Sequence, residues 1–327
     1  MDFKKEFGPK IKMINDDLER RISEIENRNL RDAMMHYPKA GGKRLRPIFT
    51  MLVADAISKS GAKAMPFGVA LEMAHNFTLI HDDIMDNDET RRGMKTTHMV
   101  FGMPSAILAG DALFAKAFEV IGEMEVDSER KNRLNSLLAR AMLLLAEGQQ
   151  MDMDFEKSES IKDEDYLKMI ERKTAVLLSA AAQGGAIAAG ADQPLQETMF
   201  EFGRLMGLGF QIWDDVLDLR ADEKALGKPV GSDIRNGKKT LIIIYALDVL
   251  DSQKKDRLKQ ILGKEGASKK EVDEAIAILD SAGAIDRAER IALEMISKAK
   301  KLLDDLPEGE DRQKLKDLTD FMIKREW

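Results

Sequence analysis

The sequence contains no cysteine, no uninterrupted apolar segment of membrane-spanning length and no strand-type alternation. The absence of cysteine excludes disulfides and thiol chemistry, and it makes a cytoplasmic location the default expectation. The longest apolar stretch, residues 175–191, is broken by serine, glutamine and glycine. We interpret it as a helix packed closely inside the protein, so no stable membrane anchor is expected. The N-terminus has mixed charge and lacks the apolar region of a signal peptide.

No change in composition marks a domain boundary, and apolar residues recur at helical spacing along the chain. We therefore predict one all-α domain over residues 1–327, with ten or more helices around a central cavity. The hydrophobic content of 44% and the charged content of 33% are those of a globular protein with an ample core. The net charge of −7 gives no indication of nucleic-acid binding.

An acidic motif occurs twice, as Asp82-Asp83-x-x-Asp86 and as Asp214-Asp215-x-x-Asp218. Aspartates three and four residues apart share one face of a helix. Like charges there repel by up to ~1 kcal/mol per pair at ~4 Å in water, so helix stability does not favour the arrangement. Binding Mg²⁺ does, since this ion takes oxygen ligands and is usually shared with substrate phosphates. A solvated acidic face is the alternative for either copy alone, and Arg91 at the position of the required glycine excludes an EF-hand loop.

Basic residues follow each acidic motif and form one further segment, as the binding of an anion would require. They are Lys43 and Arg46 in the segment Gly41–Arg46, Arg91 and Arg92 after the first motif, and Lys228 and Lys238 in the glycine-rich loop after the second. Lys43 and Arg46 share a face if their turn is helical. Each group alone is typical of a solvated patch, but together they predict a diphosphate held by metal on one side and by lysine and arginine on the other. His75 is seven residues before Asp82, near the same helical stripe, although a lone helical histidine is more often structural.

These segments, in this order, resemble the trans-isoprenyl diphosphate synthases, the farnesyl/geranylgeranyl diphosphate synthase family. The resemblance covers about residues 40–245, whereas residues 250–327 match only in being helical. The segments that carry it are Gly41-Gly-Lys-Arg-Leu-Arg-Pro47, His81–Gly93, Gly148-Gln149…Asp152, Lys173-Thr174, Phe210-Gln211-Ile-Trp-Asp214–Asp218, and Gly227-Lys228…Gly231-Ser-Asp233…Gly237-Lys238.

The resemblance implies an isoprenoid-synthase-type helical bundle, a homodimer and several Mg²⁺ ions. The implied reaction condenses isopentenyl diphosphate with dimethylallyl, geranyl or farnesyl diphosphate, and these small molecules are the expected partners. By position, the implied Mg²⁺ ligands are Asp82, Asp86 and Asp214, with Asp83, Asp215 and Asp218 supporting. The implied isopentenyl diphosphate site is Lys43, Arg46, His75 and Arg92, with Arg325 reaching the same site. The implied allylic diphosphate site is Arg91, Lys173, Thr174, Gln211, Lys228 and Lys238, and the implied closing lid is Gly227–Thr240.

Residues just before the first motif set the product length in this family. Phe77 is five residues before Asp82 and Thr78 is four before it. A single aromatic at the fifth position resembles the archaeal geranylgeranyl type. Phe77 is about 7.5 Å along an ideal helix from Asp82 and about 140° around it, so its role as the floor of the chain pocket comes from the resemblance. A farnesyl or longer-chain synthase, a class I terpene cyclase and a non-catalytic synthase subunit are the alternatives.

Overall fold

The computed structural model describes residues 2–91, 93–158, 160–220 and 230–323, apart from the side chains of residues 156 and 157. Helices dominate this part of the chain, and the predicted all-α class is confirmed. They are α1 (Phe3–Ser23), α2 (Arg28–Met34), α3 (His36–Lys39), α4 (Leu45–Ser58), α5 (Gly61–Met85), α6 (Thr97–Phe101), α7 (Met103–Gly122), α8 (Ser128–Lys157), α9 (Asp163–Ile170), α10 (Val176–Ala189), α11 (Gln193–Arg220), α12 (Ser232–Arg235), α13 (Leu241–Val249), α14 (Ser252–Ile261), α15 (Lys269–Ser281), α16 (Ala284–Leu302) and α17 (Glu310–Ile323).

Three short elements interrupt the helices. A π-helical turn (Glu171–Ala175) joins α9 to α10, and a 3₁₀ turn (Leu303–Asp305) follows α16. The strands β1 (Thr90–Arg91) and β2 (Met94–Lys95) form an antiparallel hairpin directly after the first acidic motif. No helix among the described residues is long and apolar enough to cross a membrane.

The chain divides into two compact units, and each contains one of the acidic motifs. The first unit comprises residues 1–142, 177–200 and 303–315, and the second comprises residues 143–176, 201–302 and 316–327. In the first unit, α5 carries the first motif at its C-terminal end. In the second unit, α11 carries the second motif near its own C-terminus.

The first unit is built around α4 and α5, which are apolar over most of their length. Phe49, Leu52, Phe67 and Leu71 on these helices are 0–1% exposed. Burying a side chain of this size contributes about 1.5–3 kcal/mol, so the packing of α4 and α5 stabilises the helix that carries the first motif. The small-residue helix α10 is buried as expected: Ala180, Ala181, Ala182 and Ala186 are 0–1% exposed.

The second unit has its own core, formed by the apolar faces of α9, α11 and α13 to α16. Ile212 and Val216 on α11 are buried in it on either side of the second motif's first two aspartates. α15 begins with the capping box that the sequence predicts: the Ser268 hydroxyl accepts from the Glu271 amide, and the Glu271 carboxylate accepts from the Ser268 amide.

Two helix predictions need correction. The helical periodicity of residues 128–147 predicts a helix that ends before Gly148, but α8 continues to Lys157, and Gly148 packs against the backbone of Lys173 instead. Apolar residues at helical spacing predict one amphipathic helix over residues 10–35, but α1 ends at Ser23, and the Asn27 side chain caps the separate helix α2 by accepting from the Leu30 amide.

Candidate active site

The first acidic motif presents two of its aspartates to solvent and buries the third. Asp82 is half-buried and Asp86 is exposed, whereas Asp83 is 0% exposed. Both oxygens of Asp83 are engaged: Oδ2 accepts from the Tyr37 hydroxyl, and Oδ1 accepts from Nε of Arg91 at 2.6 Å. Asp82 and Asp86 are therefore the accessible carboxylates of this motif.

Tyr37 is the residue of this site that sequence reasoning missed. Its side chain is buried, and its hydroxyl oxygen accepts from the Thr97 amide at 3.3 Å while donating to Asp83. Burial and the Asp83 charge raise the pKa of Tyr37 to about 12, so the hydroxyl keeps its proton. Burial opposes the charge of Arg91, but the neighbouring Asp83 outweighs it and raises the pKa of Arg91. Arg91 is thus a fixed, fully charged donor.

Within the basic segment Gly41–Arg46, Arg44 is the residue whose side chain is buried. Arg44 adopts a left-handed backbone conformation (φ 49°) and turns its guanidinium inward. There it donates to Glu72 at 2.9 Å and to the Pro38 carbonyl at 2.6 Å. Lys43 and Arg46, on either side, are half-buried. The helix begins only at Leu45, so the helical spacing considered for Lys43 and Arg46 does not apply.

Upstream of the first motif, Phe77 packs against α7. Its ring centroid is 4.7 Å from that of His81 and 5.3 Å from that of Phe114, which is in turn 5.2 Å from Phe118. Phe114 and Phe118 were not predicted as site residues, although their spacing of four residues on one helix is the signal that identifies them. Thr78 is buried instead, and its hydroxyl donates to the carbonyl of His75, a half-buried residue.

The second acidic motif repeats this division between accessible and engaged carboxylates. Asp214 is half-buried, whereas Asp215 and Asp218 are buried. Asp215 accepts from the Tyr166 hydroxyl and from Nε2 of Gln211 at 3.1 Å. Asp218 accepts from the Ser232 hydroxyl at 2.6 Å and from the Asp233 amide at 3.0 Å. Asp218 therefore anchors the start of α12.

A cavity of about 240 Å³ lies beside the second motif, inside the second unit. Acids, lysines and a small apolar wall share its lining: Asp152, Phe155, Tyr166, Met169, Ile170, Lys173, Thr174, Gln211, Asp214, Asp215, Asp233, Gly237, Lys238, Lys239 and Thr240. The structure therefore brings together the predicted residues Lys173, Thr174, Gln211, Asp214 and Lys238. It adds Asp152, Tyr166 and Asp233, to which sequence reasoning assigned no role.

Two of the three lysines that line this cavity, Lys173 and Lys238, are paired with carboxylates. Nζ of Lys173 is 2.5 Å from Asp152, and Nζ of Lys238 is 3.5 Å from Asp233. Desolvation opposes the charge of Lys238, but the charges of Asp233, Asp152 and Asp215 outweigh it and raise the pKa of Lys238. Burial, followed by the charge of Asp233, raises the pKa of Asp215 to about 8. A cation bound beside Asp215 would stabilise its charged form and lower its pKa.

Lys173 and Thr174 are carried by the π-helical turn, and glycines from two other helices make room for it. A Cβ on Gly148 of α8 would lie 2.4 Å from the backbone nitrogen of Lys173. A Cβ on Gly207 of α11 would lie 2.4 Å from Cα of Ala175. Such π turns are uncommon and occur frequently at functional sites. Here the turn positions Thr174 so that its hydroxyl donates to Oε1 of Gln211 at 2.9 Å.

The carboxylates fit a divalent metal that is shared with a substrate. Within the described ranges, no group of three or more histidine, aspartate or glutamate side chains is arranged to hold a metal ion alone. Mg²⁺ is usually held by one or two carboxylates and completes its shell with water and substrate phosphate. Asp82, Asp86 and Asp214 suit that role, because solvent reaches them.

Part of the predicted site lies outside the described residues, namely Arg92, Lys228, Arg325 and residues 227–229 of the expected lid. The rest of the lid, residues 230–240, is anchored at two points. Asp218 holds Ser232 and Asp233, and Nζ of Lys239 donates to the backbone carbonyls of Phe155 and Ser158.

Known proteins resemble this chain in sequence and in fold. The sequence model of the polyprenyl synthetase family matches residues 27–279. The structure of geranylgeranyl pyrophosphate synthetase from Pyrococcus horikoshii matches with a TM-score of 0.94 and 44% identity, covering 99% of each chain. The geranylgeranyl pyrophosphate synthase of Geoglobus acetivorans is 43% identical, over 96% of this chain and 97% of that protein. The geranylfarnesyl diphosphate synthase of Aeropyrum pernix is 41% identical, over 90% of this chain and 94% of that protein.

Proposed function

The chain belongs to the polyprenyl synthetase family, and we propose that it is a trans-prenyltransferase that condenses isopentenyl diphosphate with allylic diphosphates to give geranylgeranyl diphosphate. The family resemblance read from the sequence motifs is confirmed. The observation that carries the proposal is the cavity of the second unit, which is lined by an accessible aspartate, three lysines and the Thr174–Gln211 pair. That combination suits an allylic diphosphate: charged groups for its head and a polar pair near its reacting carbon.

Members of this family in general use divalent metal ions, and we propose several Mg²⁺ ions for this chain, with Asp82 and Asp86 as ligands in the first unit and Asp214 as a ligand in the second. When bound, Mg²⁺ acts as a Lewis acid that stabilises the departing diphosphate. Asp83, Asp215 and Asp218 support the site through the hydrogen bonds described above rather than as ligands. Their oxygens are already engaged by other side chains and backbone amides.

The charged residues divide between two diphosphates. The proposed allylic diphosphate site consists of Arg91, Lys173, Lys228 and Lys238, and the proposed isopentenyl diphosphate site consists of Lys43, Arg46, His75, Arg92 and Arg325. Arginine is suited to the bidentate recognition of phosphate oxygens. Lys173 exchanges its partner Asp152 for the substrate head.

The reaction needs positioning and electrostatics from the protein rather than a nucleophile. The allylic C–O bond ionises, the isopentenyl double bond attacks the resulting cation, and a proton is then lost to the released diphosphate. Because Thr174 donates its only hydroxyl proton to Gln211, its oxygen lone pairs remain available to the developing cation. Exclusion of water protects that cation, and we assign this task to the lid Gly227–Thr240.

Product length is set, in this proposal, by the aromatic row Phe77, Phe114 and Phe118 between α5 and α7. Phe77 closes the pocket for the growing chain, and the ring of Phe114 packs against the ring of Phe77. The similarity to a geranylfarnesyl diphosphate synthase makes a longer product the second candidate.

We also propose that the chain forms a homodimer through α6 and the first turns of α7. Five large apolar side chains are exposed there: Met99, Val100, Met103, Ile107 and Leu108. An apolar set of this kind on one surface is typical of a protein–protein contact.

The direct test is incubation of the chain with isopentenyl diphosphate, each allylic primer in turn and Mg²⁺, followed by chromatography of the dephosphorylated products. Geranylgeraniol is expected as the main product, with loss of activity in EDTA and in Asp82→Ala. Asp88→Ala, which removes an exposed acid of the same stretch outside the motif, should retain activity. A folded chain that gives no condensation product from any primer contradicts the proposal.

A further inference from the structure

The second aspartate has the same surroundings in both acidic motifs. Asp83 accepts from the hydroxyl of Tyr37 with one oxygen and from Arg91 with the other. Asp215 accepts from the hydroxyl of Tyr166 with one oxygen and from Gln211 with the other. The two arrangements occur in separate units of the chain, so neither is a consequence of the other's packing.

We propose that each motif contains a tyrosine–aspartate positioning pair, Tyr37–Asp83 and Tyr166–Asp215, that fixes one substrate-facing side chain, Arg91 in the first unit and Gln211 in the second. The inference rests on the proposed function, because it assigns Arg91 and Gln211 to the allylic substrate. It adds two residues to that site, Tyr37 and Tyr166, whose side chains act through their aspartates.

In the first unit the pair determines where Arg91 is held. Asp83 lies on the last turn of α5, whereas Arg91 lies in β1, beyond the end of that helix. The Arg91 side chain is anchored by its Nε bond to Asp83, and that bond uses one of five N–H donors. The remaining guanidinium donors can then face a diphosphate in a fixed orientation. Tyr37 holds Asp83 in the rotamer that allows this, and its own hydroxyl is held by the Thr97 amide.

In the second unit the pair determines which way the amide of Gln211 points. With cations bound beside it, Asp215 is a charged acceptor, so Gln211 must present its NH₂ group to it, which leaves Oε1 for Thr174. Thr174 therefore donates its proton to Gln211 and turns oxygen lone pairs toward the reacting carbon. A reversed amide would require Thr174 to accept and would aim its proton at a cation. Tyr166 completes this series of hydrogen bonds by donating to the other oxygen of Asp215.

The two tyrosines are suited to positioning because their rings are held by packing. Tyr37 comes from α3 and is 4% exposed, and Tyr166 comes from α9 and is 2% exposed. Each hydroxyl therefore reaches its aspartate from an element other than the helix that carries the motif. Hydrogen bonds to a carboxylate in a desolvated position are stronger than those in water.

The test is a pair of double-mutant cycles built on Tyr37→Phe and Tyr166→Phe, which remove one oxygen each and keep the rings. Tyr37→Phe should raise KM for the allylic diphosphate about tenfold and leave kcat within about twofold. Tyr166→Phe should lower kcat about tenfold and leave KM within about twofold. In Arg91→Ala the first change should have no further effect, and in Gln211→Ala the second should have none, because each tyrosine acts through that side chain.

Tyr245→Phe is the matched control. Its ring keeps the contact with Arg287, whose guanidinium carbon is 4.0 Å from the ring centroid, and activity should stay at the wild-type level. Independent additive effects in both cycles, or equal effects of the two tyrosines on KM and kcat, would overturn the inference. Melting curves of every variant separate these results from loss of fold.

A calorimetric titration with inorganic diphosphate and Mg²⁺ keeps the first pair testable without turnover. Tyr37→Phe should weaken diphosphate binding about tenfold in the wild-type background and not at all in Arg91→Ala. If the wild-type chain makes no condensation product, the proposed function fails and the assignment at Gln211 fails with it. The calorimetric cycle still decides the role of Tyr37.

Discussion

Replacing Gly148 with alanine should lower the activity strongly and the stability only slightly. A Cβ at this position would lie 2.4 Å from the backbone nitrogen of Lys173 and 2.8 Å from the carbonyl carbon of Arg172. Ordinary contact begins at 3.4 Å, so about 1 Å of movement is required. Both neighbours are backbone atoms, which cannot rotate away, so the π-helical turn itself has to shift.

The energetic and kinetic consequences of this shift differ in size. Overpacking of a tight contact costs about 1–3 kcal/mol, and replacing glycine by alanine inside a helix offsets about 1 kcal/mol of that cost. The free energy of unfolding should therefore fall by no more than about 2 kcal/mol. A displacement of about 1 Å at groups that position a substrate costs about 100-fold in rate. Gly148→Ala should accordingly fold and lose about 100-fold in kcat/KM.

The assay is the condensation rate with labelled isopentenyl diphosphate, combined with denaturant unfolding of the same preparations. Gly122→Ala is the matched control, because Gly122 is also in a helix, no proline follows it, and a Cβ there meets no atom within 4 Å. It should keep full activity and gain slightly in stability. A Gly148→Ala protein that keeps more than half of the wild-type kcat/KM would refute the reasoning about the π turn.

Three further predictions concern other parts of the molecule. Phe77→Ala should lengthen the product seen by chromatography, because it opens the space in front of Phe114; an unchanged product would show that Phe77 is not the floor. Leu108→Glu should convert the dimer to a monomer in size-exclusion chromatography with light scattering, whereas Leu293→Glu, at a residue 40% exposed in the second unit, should not; a dimeric Leu108→Glu protein would contradict the proposed interface. The free energy of unfolding without metal should fall as the pH rises from about 4 to about 8, because folded Asp215 keeps its proton to about pH 8 while the unfolded chain releases it near the ordinary aspartate pKa of 3.8. Denaturant unfolding of Asp215→Asn should show a smaller fall over that pH range, and an equal fall would contradict the assignment to Asp215.

Spacing in the sequence was sufficient to predict features that depend on neighbouring residues. The all-α class, the position of the first motif on a helix and the capping box at Ser268 follow from patterns within a few turns. The family resemblance then identified the residues that line the cavity of the second unit, such as Lys173 and Gln211. These predictions depend on short stretches of chain, which a sequence displays directly.

Features that depend on distant partners were not predictable in this way. The role of Asp83 is determined by Tyr37, which is 46 residues away, and that of Asp215 by Tyr166, which is 49 residues away. Arg44 turns inward because Glu72, 28 residues away, is buried beside it. The end of α8 was misplaced for the same reason, since Gly148 serves a contact with Lys173 and not a helix terminus.

The lysine–carboxylate pairs in the second unit make ligand binding an exchange and not a simple addition. A free anion such as chloride or phosphate that takes Lys173 leaves the carboxylate of Asp152 without its counter-charge, which is costly in a half-buried position. A diphosphate that arrives with divalent cations supplies a partner for both members of the pair. We therefore expect the proposed site to bind simple anions weakly in the absence of divalent cations, even though its cavity contains lysines that would attract them.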